Sequence, residues 1–149
     1  MTEIGFYHLQ RSPLERALPK LLEKVLEAGK RAVVLAGSEE RVDALNAALW
    51  TYRPDSFLPH ASASDGNAEA QPIWLSTAFE NPNDAGILIL TDNATTESFD
   101  GFERCLEMFD GNDDSAVAAA RERWTAYKDA GHDVVYYQQT ESGGWEKKA

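Results

Sequence analysis

Cysteine and histidine are scarce in this chain, and their scarcity excludes several classes of site. The 149 residues contain one cysteine, Cys105, so no disulfide can form within the chain. A lone thiol among apolar neighbours is typical of a reduced core residue in the cytosol. The three histidines, His8, His60 and His132, are widely separated, and none stands in a close spacing with other ligands that would indicate a metal site. We therefore expect neither a disulfide framework nor a metal ion.

Long apolar runs are also missing. The longest clean ones, 32–36 and 116–120, are five residues each, whereas a helix needs about 20 to span a bilayer. Residues 1–9 lack a basic stretch followed by a long apolar one, so no signal peptide is expected. These features predict a protein that stays in the cytoplasm.

Positive charge is in short supply. Fourteen Lys and Arg residues oppose 25 Asp and Glu residues, which gives a formal net charge of -11. Nucleic acids are bound mainly through phosphate neutralisation by Lys and Arg, so this surface repels DNA overall. We expect contact with DNA to be indirect unless the fold creates a locally basic patch.

Short apolar strands alternate with amphipathic helices along the chain. The patterns predict strands at 4–9, 32–36, 73–76, 86–91 and 134–139, and helices at 14–28, 38–50 and 116–128. This alternation indicates one three-layer α/β/α domain of Rossmann-like form over residues 1–149, with a mixed, mostly parallel sheet. Residues 141–149 are expected to form a flexible polar tail.

The sequence leaves the secondary structure of two segments undecided. Pro19 lies inside the first helical pattern, so it either bends the helix or moves its start downstream. Residues 103–109 favour helix by propensity, but Cys105, Met108 and Phe109 would also suit an irregular strand.

The chain carries no recognisable catalytic or cofactor motif. Its one Gly-Lys pair, Gly29-Lys30, follows a helix and precedes a strand, the reverse of the order in a phosphate-binding loop. The turn at 36–40 has one glycine and two carboxylates, which would repel phosphate. No Gly-x-Ser-x-Gly elbow occurs. We expect a non-catalytic protein without cofactor, and the alternative is a nucleotide-binding or hydrolytic enzyme on the same fold.

Aromatic residues form two clusters that are candidates for protein contacts. Trp50 and Phe57 flank a proline-containing loop, and Trp124 and Tyr127 lie among basic residues. Aromatic side chains beside arginine are typical of interface anchors, although each could instead belong to the core.

One face of the last helix combines charge with an indole. At 3.6 residues per turn, Arg121, Trp124, Thr125 and Lys128 share that face. In an acidic protein, such a face suits an acidic peptide with a hydrophobic end. The alternatives are an ordinary solvated helix face and direct binding of single-stranded DNA by stacking on Trp124.

Several segments together resemble the DNA polymerase III chi subunit family. They are Phe6-Tyr7, Ala48-Leu49-Trp50, the stretch from Ser56 to His60, the stretch from Arg121 to Lys128, and Ala130-Gly131. They occur in the family's order and at similar separations over nearly the whole chain.

The resemblance implies a non-catalytic subunit of a DNA-directed DNA polymerase that links the clamp-loader complex to single-stranded DNA-binding protein. In the family, one surface binds that protein's acidic C-terminal tail, which ends in phenylalanine and a free carboxylate. This surface corresponds to Arg121, Trp124, Thr125 and Lys128. A second surface, which corresponds to Trp50 and Phe57, binds the psi subunit or another clamp-loader component.

The chain departs from the family pattern at the tail surface. Val117 replaces a basic residue one helical turn before Arg121, and Trp124 and Thr125 stand where tyrosine and lysine are common. With fewer charges, the surface is expected either to bind more weakly or to depend more on apolar contact.

Overall fold

The architecture is described from a computed structural model of the chain. The structure describes residues 3–10, 14–51, 61–62, 72–77, 80–81, 83–92, 101–140 and 144–148, and at 50, 51, 61 and 62 it describes the backbone alone. The helices are α1 (Leu14–Glu27), α2 (Glu39–Thr51) and α3 (Asp114–Asp129). The strands are β1 (Glu3–Leu9), β2 (Ala32–Leu35), β3 (Ala61–Ser62), β4 (Ile73–Ser76), β5 (Ile87–Leu90), β6 (Arg104–Asp110), β7 (Asp133–Gln139) and β8 (Trp145–Lys147).

All these strands belong to one sheet, in the order β3-β4-β2-β5-β6-β1-β7-β8. Neighbouring strands run parallel except β7 and β8, which are antiparallel. β5 lies inside the sheet, with three strands on one side and four on the other. The predicted fold class, a three-layer α/β domain with a mixed, mostly parallel sheet, is confirmed.

The helices lie on both faces of the sheet. The side chains along each strand point alternately to one face and to the other. α1 and α2 bury their apolar residues in one core cluster, and α3 packs on the other. Along β1, Tyr7 and Leu9 join the α1 cluster, whereas Ile4 and Phe6 join the α3 cluster. Both faces of the central strands are buried, which explains the uninterrupted apolar run at β2.

α1 begins at Leu14, so Pro19 does not shift the start of the helix downstream. Pro19 lies inside the helix and is buried. It cannot donate to the carbonyl of Glu15, so packing of the apolar face has to offset a missing backbone hydrogen bond. The helix stops before Gly29, whose φ of 74° is in the left-handed region that glycine tolerates.

The ambiguous segment around Cys105 is the strand β6. It pairs with β1 on one side and β5 on the other, and residues 105–109 are buried. Helical propensity here is outweighed by burial between two parallel neighbours. Cys105 is fully buried, as predicted for a core thiol, and burial raises its pKa well above the ordinary value.

The prediction that β7 is the last strand is wrong. β8 follows it, lies within the segment 141–149 that was expected to form a tail, and pairs antiparallel with β7. Trp145 anchors the pairing, because its ring lies 5.0 Å from that of Tyr7 in an edge-to-face contact. The partly buried Trp145 side chain thus ties a short polar strand to the α1 core cluster.

Candidate functional site: an aromatic cavity beside helix α3

The position of α3 depends on a well-defined start. The Asp113 carboxylate accepts hydrogen bonds from the backbone N–H groups of Ser115 (2.9 Å) and Ala116 (3.4 Å), as an N-cap does. Asp113 is thus the N-cap, and the helix starts two residues earlier than expected, at Asp114. Ala116 and Ala120 are buried, and these small side chains let the helix approach the sheet closely.

A cavity of about 390 Å³ lies between α3 and the sheet. We call it the α3 cavity; its lining residues are Phe6, His8, Phe109, Val117, Ala120, Arg121, Trp124 and Tyr136. Four of the eight are Phe, Tyr or Trp, and none is a carboxylate. The cavity is therefore an apolar depression with one permanent cation on its wall.

Trp124 is half-buried rather than sealed in the core. Its ring lies 5.5 Å from Phe6 and 6.3 Å from Tyr136, at interplanar angles of 64° and 84°. Such edge-to-face contacts fix the indole while part of it lines the cavity. Trp124 is therefore both a core residue and a candidate contact residue: one part of its side chain packs on the core, and another part lines the cavity.

The structure brings together two of the four residues predicted for this surface. Arg121 and Trp124 line the α3 cavity, whereas Thr125 and Lys128 are exposed on the same helix beyond its lining. The Thr125 hydroxyl donates to the backbone carbonyl of Arg121 at 3.2 Å. Lys128 lies seven residues beyond Arg121, which is about 10 Å along the helix axis.

The other half of the cavity is lined by strand residues that the sequence pattern did not assign to a site. Phe6 and His8 share one face of β1, and Phe109 and Tyr136 are contributed by β6 and β7. Period-two alternation in β1 was the available signal, since it places residues 6 and 8 on one side. Their meeting with β7 depends on the strand order, which periodicity does not reveal.

His8 is held in the cavity wall by two neighbours. Its Nδ1 atom is hydrogen-bonded with the Tyr136 hydroxyl, and its ring lies 4.9 Å from that of Phe109. Gly111 makes room for the imidazole, because a Cβ atom at that position would overlap the ring. Burial lowers the pKa of His8, and the nearby guanidinium of Arg121 lowers it further.

A buried ion pair fastens α3 to the sheet next to the cavity. Arg123 pairs with Glu107 of β6, and their side chains are only 12% and 2% exposed. Burial raises the pKa of Glu107 to about 7 against the opposing attraction of Arg123 and a hydrogen bond from Tyr127. Arg123 and Tyr127 thus point away from the predicted tail-binding face, as expected from helical spacing.

A second cavity, of about 410 Å³, lies on the opposite face, beside α1. We call it the α1 cavity; its lining residues are Tyr7, Leu21, Lys24, Val25, Ala28, Lys30, Ile87, Glu103, Arg104, Leu106, Tyr137 and Trp145. Two of its three cations have partners in the chain: Lys30 pairs with Glu103 at 2.7 Å, and Arg104 with Glu3 at 3.4 Å. It is a mixed, largely self-neutralised surface.

The second predicted contact surface lies only partly within the described residues. Trp50 lies at the end of α2, where only the backbone is described, and Phe57 falls outside the described residues. α2 packs on the face of the sheet opposite α3. A surface around Trp50 stays a prediction.

The described part of the chain contains neither a candidate metal-ion cluster nor a candidate membrane-spanning helix. No group of three or more His, Cys, Asp or Glu side chains there is arranged to hold a metal ion. None of the helices in that part is both long and apolar enough to cross a membrane.

The fold and the cavity define a three-layer α/β protein with an aromatic surface depression between one helix and the sheet. Comparison with known families is more specific. The family described as "DNA polymerase III chi subunit, HolC" matches residues 1–135, and the chain belongs to this family.

Curated relatives agree with that assignment. The chain is 27% identical to the DNA polymerase III subunit chi of Escherichia coli strain K12, over 83% of this chain and 84% of the relative. It is 27% identical to the protein of the same name from Pseudomonas aeruginosa, over 90% and 94%. A probable DNA polymerase III subunit chi from Rickettsia prowazekii is 31% identical over 60% of this chain, and the match spans about half (54%) of that relative's length.

Proposed function

We propose that this chain is a non-catalytic subunit of the bacterial DNA polymerase III holoenzyme that links the clamp-loader complex to single-stranded DNA-binding protein during replication. It does so by binding the acidic C-terminal tail of that protein in the α3 cavity. Membership of the chi family supports the polymerase assignment. The tail site is supported by the chemistry of the cavity, and in particular by Arg121 beside an aromatic wall.

The cavity suits a hydrophobic chain end that carries a negative charge. Its volume of about 390 Å³ falls within the range of small-ligand sites, and its wall is mostly aromatic. Arg121 lies on that wall, is exposed, and makes no ion pair with another described residue. An aromatic terminal side chain would fill the depression while its carboxylate pairs with the guanidinium.

Thr125 and Lys128 extend the site along the helix. Since an extended peptide covers about 3.3 Å per residue, the 10 Å from Arg121 to Lys128 corresponds to about three residues of a tail. Lys128 would then meet acidic residues upstream of the chain end. In a protein of net charge -11, such a short cationic path discriminates between this surface and the rest.

A second partner would bind on the other side of the sheet. We propose that Trp50 and Phe57 contact the psi subunit or another clamp-loader component. The position of α2 opposite α3 supports this proposal, because two partners on opposite faces can bind at the same time. DNA would then be reached only through the tail-bearing protein, as the net charge favours.

Calorimetric titration with a synthetic acidic peptide that ends in phenylalanine tests the tail site. We expect binding that weakens with added salt, and loss of most of the affinity when the terminal carboxylate is amidated or the phenylalanine is replaced by alanine. Arg121→Ala should cost about 1–3 kcal/mol of binding free energy.

Arg16→Ala is the matched control, since Arg16 is an exposed arginine on α1, across the sheet from the α3 cavity. It should leave the affinity unchanged. Equal affinity of the wild-type protein and the Arg121→Ala variant would remove the arginine from the site, and absence of binding at low salt would refute the proposed function.

A further inference from the structure

A titratable ring is built into the wall of the α3 cavity. His8 lines the cavity from β1, with its Nδ1 atom bonded to the Tyr136 hydroxyl and its ring against Phe109. It is only partly buried. The ring is therefore fixed in position beside the space that a bound chain end would occupy.

Each element around His8 contributes one polar or charged group. α3 contributes Arg121, β6 contributes Asp110 and, just beyond its end, the backbone of Gly111, and β7 contributes Tyr136. Burial lowers the pKa of His8, the Gly111 backbone raises it, Arg121 lowers it and Asp110 raises it. Burial raises the pKa of Tyr136 and Arg121 opposes that rise, so its guanidinium acts on both members of the hydrogen-bonded pair.

An anion bound at Arg121 changes this balance. Its negative charge offsets the guanidinium, which in the free protein disfavours the imidazolium form of His8. The carboxylate of the bound chain end also attracts the His8 imidazolium directly. By linkage, a ligand that favours protonation must itself bind more tightly when the proton is present.

We propose that His8 takes up a proton when an acidic chain end binds beside Arg121, so that acidification tightens the complex. The inference rests on the proposed function, since it concerns the regulation of the same site. It assigns His8 a role that is separate from the permanent charge of Arg121.

The direction and the pH window follow from the shift of His8. Its pKa in the free protein is below the ordinary value of 6.5, and we expect binding to move it upward. Proton uptake on binding therefore takes place mainly below about pH 7. Because a rise of one pKa unit corresponds to at most a tenfold gain, we expect affinity to increase about three- to tenfold between about pH 7.5 and pH 5.5.

The test is a titration with the same acidic peptide at three values between about pH 5.5 and pH 7.5. Whatever its affinity at the highest pH, His8→Gln should show little gain in affinity on acidification. His132→Gln is the matched control, because the His132 ring contacts Tyr127 and does not line the cavity. It should keep the full gain.

A second measurement on the wild-type protein avoids dependence on the folding of any variant. Calorimetry in two buffers with different ionisation enthalpies counts the protons taken up on binding, and NMR titration of the His8 ring with and without peptide should show its pKa rising. Binding that is independent of pH, or that takes up no proton, would overturn this inference while leaving the proposed function intact. Absence of binding at every pH would instead refute the proposed function.

Discussion

The two cavities are almost equal in volume, about 390 and 410 Å³, but differ in how their charges are used. In the α1 cavity, Lys30 and Arg104 pair with carboxylates of the same chain. In the α3 cavity, no carboxylate is part of the lining, and Arg121 faces an aromatic wall. Cavity size therefore does not distinguish a candidate binding site from other depressions. A cation that the fold leaves available beside apolar surface is the more informative feature.

Breaking the ion pair beside each cavity should give the largest difference between the two regions, measured as the loss in the free energy of unfolding. Arg123→Ala leaves Glu107 buried without its partner, and we expect a loss of about 3–5 kcal/mol in the free energy of unfolding at about pH 8. Arg104→Ala breaks a pair whose side chains are 36% and 47% exposed, and should cost about 1 kcal/mol or less. Urea denaturation measures both, and equal losses would contradict the comparison.

The loss in Arg123→Ala should depend on pH. Burial raises the pKa of Glu107 to about 7 in the folded protein, above its ordinary 4.5. The folded state thus holds this proton more tightly, so the stabilisation from Glu107 is present below pH 4.5 and is lost as pH rises towards 7. Without Arg123 the pKa rises further, and the destabilisation should be smaller at about pH 5 than at about pH 8.

A half-buried tryptophan beside each cavity, Trp124 or Trp145, sharpens the comparison. Trp124→Ala removes the main aromatic wall of the α3 cavity and should reduce the affinity for the acidic peptide by about 2 kcal/mol, as for a central interface residue. Trp145→Ala removes the anchor of β8 beside the α1 cavity and should change that affinity less than twofold. Peptide titration of both variants distinguishes a binding tryptophan from a structural one. A similar loss of peptide affinity in both variants would contradict this distinction.

Glycines near each cavity give a smaller difference. Gly111→Ala places a Cβ atom in the space of the His8 ring and next to backbone, so it should cost about 1–3 kcal/mol of stability. At Gly86, beside the α1 cavity, the added atom would meet the end of the Glu103 side chain at 3.0 Å, which can move aside. Gly86→Ala should therefore cost less than about 1 kcal/mol. Thermal unfolding of the two variants measures the difference.

Much of this architecture could be predicted from the sequence, because local patterns carry it. Alternation of apolar strands with helices predicted the layers, and helical spacing alone placed Arg121 beside Trp124. What could not be predicted depends on long-range pairing. The position of β1 between β6 and β7 brings His8 to Tyr136, and no local pattern encodes that order. β8 was missed for the same reason, since its pairing relies on the contact of Trp145 with Tyr7.

The smallest expected effect concerns charges outside the cavities' apolar walls. Lys128 is exposed and about 10 Å from Arg121 along α3, so it can attract acidic residues of a bound tail only through solvent-screened interaction. Lys128→Ala should weaken peptide binding by about 0.5–1 kcal/mol at low salt, and the difference should vanish at about 0.5 M salt. Lys24→Ala, an exposed lysine at the α1 cavity, is the matched control and should have no effect at either salt concentration. A loss at Lys128 that persists in high salt would indicate a direct, desolvated contact, and an equal loss at Lys24 would mean that the peptide responds to overall charge rather than to the α3 surface.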